Sequence, residues 1–217
     1  MPQPAEVGRR VKQLTQLFET AQADIDRQVR TVALDPTQGR RLRRLRDLKR
    51  TVDARLSELE HRTKDWLEGN LPRVYELGGT QGARSVGAAA FEWTQPHVSA
   101  VEHLATDMFK DVLDATTHVR ADVKAWVREE GRRQTALSLL EGRTAEQAGQ
   151  QLAKALPGEV ADRIGGRVGV IQYADGSVHT LADYSDMLLR TKTAQAYNAG
   201  TVNTITAAGV EWLECLD

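Results

Sequence analysis

Apolar side chains recur at alternating four- and three-residue steps through Val7, Val11, Leu14, Phe18, Ala21, Ile25, Val29 and Val32. This heptad seam predicts a helix from about Ala5 to Ala33. Leu34-Asp35-Pro36-Thr37-Gln38 interrupts it. Asp35 suits an N-cap, Pro36 the first helical position, and Gln38 completes a capping box. A second helix is predicted from Pro36 to about Glu68, with Leu42, Leu45, Leu48, Val52, Leu56, Leu59 and Trp66 on one face. Two matched seams joined by a tight turn read as an antiparallel helical hairpin over residues 1–69. Each helix would span on the order of 45 Å. The hairpin has few large side chains, so its outer face is expected to pack on something else.

Gly69-Asn70 is read as the end of that unit. Gly78, Gly79, Gly82 and Gly87 follow closely. Each interior glycine costs a helix about 1 kcal/mol relative to alanine. Two readings compete: a backbone that closely approaches a neighbour, or a helix followed by a loose loop, which the composition favours. Pro96 then opens a helix in which Val98, Val101, Leu104, Met108, Val112, Ala115, Val119, Val123 and Trp126 keep helical period as far as Leu137 and Leu140. So long a helix is uncommon in a compact domain, and a break is expected at Thr116-Thr117 or Gly131. Gly142 is read as a cap. Thr144 to Gln147 reads as a capping box for a helix through Leu156, stopped by Pro157-Gly158. This middle helical region is assigned to residues 70–157.

Residues 158–217 change in character. Arg167 to Tyr173 and Ser177 to Thr180 flank Ala174-Asp175-Gly176, a strong β-hairpin signal. Thr180 then suits an N-cap, with Asp183 as a weak capping-box partner. Leu181, Tyr184, Met187, Leu188, Thr191, Ala194, Tyr197, Thr201, Val202 and Ile205 make an apolar stripe. Gly209 is placed for a left-handed C-cap. A last strand over Val210 to Leu216 would pair with the hairpin in a three-stranded sheet. The fold class expected is mostly α: a long N-terminal helical hairpin, a middle helical region, and a small α+β C-terminal unit with a β-hairpin.

Composition narrows the picture. Aromatics are 5% and hydrophobics 41%, which argues against a single thick core. Lys and Arg number 29 against 30 Asp and Glu, a formal net charge of −1. That excludes a wholesale polyanion binder but allows a local basic face. The single cysteine, Cys215, excludes an intrachain disulfide. No apolar run approaches the roughly 18 residues of a membrane span, and MPQPAEVGRR has no apolar signal core. A soluble chain without membrane partners is expected.

The local exception in charge is Arg40, Arg41, Arg43, Arg44, Arg46, Lys49 and Arg50, offset only by Asp47. It reads either as a solvated face whose Arg stems cover apolar surface, or as a contact to phosphates or an acidic protein. No aromatics interleave, which argues against stacking on single-stranded bases. His97 and His103 lie on different helix faces, and His61, His118 and His179 are isolated, so no metal site is expected. No nucleophile elbow or P-loop occurs. Gly165-Gly166-Arg167-Val168-Gly169 precedes no helix, and Glu129-Glu130 sits on a charged helix. No enzyme activity or cofactor is expected. Arg190, Thr193 and Asn198 stand out as polar residues on the last helix. They are read as structural, Arg190 pinning the last strand through its carbonyls or Glu214, and Asn198 capping or bridging to the hairpin.

Arg190-Thr191-x-Thr193-Ala194-x-Ala196-Tyr197-Asn198-Ala199-Gly200, followed by Gly209-Val210-x-Trp212, resembles the C-terminal part of phage head-morphogenesis minor capsid proteins, the Mu F-like and phage minor capsid protein 2 group. The likeness weakens but continues back to about Leu71. In that group a Tyr-x-x-Gly pattern like Tyr75-Glu76-Leu77-Gly78 sits on a helix. The resemblance implies a minor head protein at the portal vertex of a tailed bacteriophage, made in the host cytoplasm and carried in the virion. It would assist procapsid assembly, DNA packaging or ejection. The implied partners are the portal protein, packaged double-stranded DNA and other head proteins, engaged by binding and not by catalysis. Members of the group continue past the last strand with an Asp-Gly turn and further cysteines and histidines. This sequence stops at Asp217, either for want of that ending or as part of a longer product. The alternative is a coiled-coil scaffold or DNA-binding protein not tied to a portal.

Overall fold

The computed structural model describes residues 5–33, 38–140, 170–172 and 177–210. It is mostly helical, as expected. Among the described residues the order is α1 (Ala5–Ala33), α2 (Gln38–Ser85), α3 (Gln95–Leu140), β1 (Val170–Gln172), β2 (Val178–Thr180) and α4 (Leu181–Ala207). The expected Asp35-Pro36 start of the second helix lies outside the described residues. So do the expected Thr144 to Leu156 helix with its flanking signals, and the glycine run at 165–169.

The α1 seam is buried at all eight positions from Val7 to Val32. On α2, Leu45, Leu48, Val52, Leu56, Leu59 and Trp66 are buried as the spacing predicts. The predicted stop at Gly69-Asn70 is corrected, because α2 continues for 48 residues with Pro72 inside it. Gly69 costs about 1 kcal/mol and Pro72 about 3 kcal/mol. Beyond them Leu71, Val74 and Tyr75 are all fully buried. Each returns about 1.5–3 kcal/mol, so packing outweighs the local breakers. The Asn70 amide also donates to the Trp66 carbonyl at 3.0 Å and accepts from Arg10 at 2.6 Å, tying α2 to α1. Gly87, at φ +71, ends the helix in a Schellman arrangement, with Ala88 N donating to Ala83 O at 2.9 Å.

The break expected in α3 at Thr116-Thr117 or Gly131 does not occur. Thr116 is fully buried, its hydroxyl 2.5 Å from Glu60 Oε1 and 3.1 Å from Leu113 O. Gly131 has open space around its α-carbon. One glycine, at about 1 kcal/mol, is a tolerable cost in a long helix. β1 and β2 pair antiparallel, with Ile171 opposite His179. The connecting residues 173–176 lie outside the described set. The third strand is not seen at Val210, which has no regular structure, and its remainder lies outside the described residues.

The chain divides into two compact units that do not follow its order. Of the described residues, the first takes 5–16, 61–112 and 185–210, and the second takes 17–33, 38–60, 113–140, 170–172 and 177–184. In the second unit Arg120 clamps α3 to α2. Its guanidinium reaches Glu60 at 2.6 and 3.1 Å and the Ser57 hydroxyl at 3.1 Å.

Candidate functional site

The basic run sits in the second unit near the start of α2. Leu45 and Leu48 are buried, and at 100° per residue this turns Arg43, Arg46 and Arg50 to the opposite face. Arg43, Arg44, Arg46, Lys49 and Arg50 are all exposed. Arg50 pairs with Asp47 at 2.5 Å, both well exposed, and such a pair holds weakly against water and salt. The side chains of Arg40 and Arg41 lie outside the described residues. Arg43, Arg46 and Arg50 therefore point away from the seam.

The last helix is placed by two devices. The Thr180 hydroxyl accepts from Asp183 N at 3.1 Å and donates to the Asp183 carboxylate at 2.7 Å, as the capping signal predicts. Gln22 of α1 adds a cap that sequence spacing does not reveal, its amide oxygen accepting from Leu181 N at 3.2 Å. At the other end Gly209 adopts φ +82, with Val210 N reaching Ile205 O, the predicted left-handed cap.

The buried face of α4 follows the predicted stripe in part: Leu181, Leu188, Tyr197 and Ile205 are buried. Met187, Thr191 and Val202 are exposed, whereas Ser185, Leu189, Thr193, Ala196 and Gly200 are buried. These mostly small residues let α4 approach α2 within the first unit. A Cβ at Gly78 would overlap the Tyr197 carbonyl oxygen, and one at Gly82 would sit 2.6 Å from Thr201 O. A Cβ at Gly200 would overlap the Tyr75 carbonyl oxygen. The loose-loop reading of the glycine-rich segment is thus corrected: three of its glycines lie on α2 at closely packed positions. The Thr201 hydroxyl spans the crossing to Gly78 O at 2.9 Å.

Of the motif residues, Thr193 is fully buried and donates to Leu189 O at 2.6 Å. Arg190 and Asn198 are exposed, and Arg190 pairs with Asp186 at 2.7 Å on its own helix. The two do not converge with Thr193. The strand that Arg190 was expected to pin, with Trp212 and Glu214, lies outside the described residues.

Two polar centres in the first unit escaped the sequence reading. Asn203 donates to the Tyr75 hydroxyl at 2.7 Å, and that hydroxyl lies 3.0 Å from His97 Nδ1. Trp93 stacks on Tyr75 with ring centres 5.7 Å apart, and Phe91 meets His97 edge-on at 5.0 Å. Burial pushes the Tyr75 phenol up and the His97 imidazole down from their ordinary values. Lys192 of α4 bonds the Asp107 carboxylate and reaches Asp111 at 3.0 Å on α3. The hydrogen bond with Lys192 holds the Asp107 carboxyl below its usual range and raises the Lys192 ammonium. The first centre joins α2, α3 and α4 and the second joins α3 to α4, so no local spacing announces either.

No family model matches the chain, nor does any curated protein or solved structure. Among the described residues no cluster of His, Cys, Asp or Glu is arranged to hold a metal. No described helix is long and apolar enough to cross a membrane.

Proposed function

We propose that this chain is a minor head protein of a tailed bacteriophage. It joins the portal vertex during procapsid assembly and assists DNA packaging or ejection by binding. The observation that carries the reading is the pattern from Arg190 to Gly200 with Gly209-Val210-x-Trp212. Two structural features support it. The pattern's small residues Thr193, Ala196 and Gly200 face inward at a close helix contact, while Arg190 and Asn198 remain exposed for a partner. The α1 seam is buried within the chain itself, which weighs against a free coiled-coil scaffold.

Procapsids and virions purified from the producing host are expected to contain the chain. Its absence from both overturns the reading. Charge reversal at Arg43, Arg44 and Arg46 then sorts the partner of the basic run. Loss of DNA binding with incorporation intact assigns the run to DNA, and loss of incorporation assigns it to a protein interface.

A further inference from the structure

We infer that the outward face of α2 from Arg43 to Arg50 grips the phosphate backbone of duplex DNA without reading its sequence. This deepens the proposed function, and rests on it for the biological setting only. The binding itself is a property of the isolated chain.

The argument starts from geometry. Arg43, Arg46 and Arg50 lie one helical turn apart, directly opposite the buried Leu45, Leu48 and Val52. At 1.5 Å per residue the row is about 10 Å long. Each of the three arginines can meet one phosphate of the backbone. Arg44 and Lys49 are exposed as well, at the two borders of the buried seam. The forked guanidinium suits phosphate oxygens. Asp47 is the one acid on this face, and its bond to Arg50 is exposed enough for phosphate to displace it.

The choice between DNA and an acidic protein rests on what the face lacks. A stable protein interface carries a desolvated, partly apolar centre. The large exposed apolar residues among those described are Trp93, Val98, Val178, Met187, Val202 and Val210, and none lies on this segment. A face of charge alone, without an apolar anchor, draws its affinity from counterion release, which a dense polyanion supplies best. Single strands are disfavoured because no aromatic side chain is interleaved with the arginines to stack on bases.

The test is a salt titration of the full chain against short duplexes of two unrelated sequences. Both duplexes should bind alike. Three phosphate contacts give a log–log slope of about −2.7, an affinity loss of about 40-fold between 50 and 200 mM salt. The variant R43Q/R46Q/R50Q should lose that part of the slope, and R43K/R46K/R50K should keep it. R128Q/R132Q/R133Q, which removes the same charge from exposed positions of α3, should leave the slope unchanged. Unaltered helical circular dichroism in each variant shows that folding is intact. The proposal is overturned if the chain does not bind duplex at about 50 mM salt, or if the glutamine variant keeps the full slope. It also fails if polyglutamate competes as well as DNA of equal charge, or if single strands bind more tightly than duplex. None of these results depends on finding the chain in phage particles, so the two readings fail separately.

Discussion

Gly78 of α2 and Tyr197 of α4 meet backbone against backbone, with no room for a β-carbon at Gly78 facing the Tyr197 carbonyl oxygen. Gly200 stands in the same relation to Tyr75, so the contact is glycine-dependent from both sides. An alanine at either position would raise intrinsic helix propensity by about 1 kcal/mol. The obstructing atoms are backbone, however, and cannot swing away.

Gly78→Ala and Gly200→Ala are therefore each expected to destabilise the chain by about 1–3 kcal/mol or more. Gly69→Ala has nothing within 4 Å of its added carbon and should stabilise by up to about 1 kcal/mol. Urea unfolding of the three variants checks the opposite signs. A stabilised Gly78→Ala would mean that the helices do not touch here.

The Tyr75–His97 pair predicts a pH dependence. Burial lowers the His97 value beneath its ordinary 6.5, and no neighbouring charge contributes to the shift. The unfolded chain then binds the proton more readily than the folded one. The stability associated with neutral His97 is complete above 6.5 and is lost as pH falls from there toward the folded value. Unfolding measured at steps below neutrality should show this decline, and His97→Gln should remove that component. Tyr75→Phe should cost about 1–3 kcal/mol at any pH, because Asn203 and His97 both lose a partner.

Lys192 predicts effects at the two pH extremes. Its ammonium is raised above 10.5 and the Asp107 carboxyl lowered beneath 3.8, chiefly by the bond between them. Asp107 is about half exposed, so Lys192→Met should cost only about 1 kcal/mol near neutrality. The difference from wild type should shrink as pH falls below 3.8 through the folded Asp107 value. It should shrink again as pH rises above 10.5 through the folded Lys192 value. A difference that stays constant across both windows would show that the contact is packing alone.

The start of α4 offers a paired test. Thr180→Ala removes a local cap and should cost about 1 kcal/mol. Gln22→Ala removes the side-chain acceptor that reaches Leu181 N and should cost about 1 kcal/mol. Amide hydrogen exchange in the first turn of α4 should quicken in both variants.

The heptad seam of α1 and the α2 apolar face from Leu45 to Trp66 were legible because each residue type states its own preference at helical spacing. The hairpin signal before Thr180 and the caps at Thr180 and Gly209 were legible for the same reason, since the groups they satisfy lie within a few residues. The basic run was equally plain, and the structure adds which of its side chains point outward. Signals that depend on distant partners were misread. The α2 stop at Gly69-Asn70, the α3 break at Thr116-Thr117 and the loop at the glycines each followed correct local preferences that packing overrode.

Sequence alone determined the helical character, the two seams, the hairpin and the local concentration of positive charge, because these arise from neighbours along the chain. Only the tertiary structure decided that α2 runs through Pro72, that α4 buries Thr193, Ala196 and Gly200 beside Leu188, Leu189, Tyr197 and Ile205 while Met187 and Val202 stay exposed, and that Tyr75, His97 and Asn203 meet. The physical reason is that burial and close contact between helices far apart in sequence are worth as much as, or more than, the propensity of any single residue.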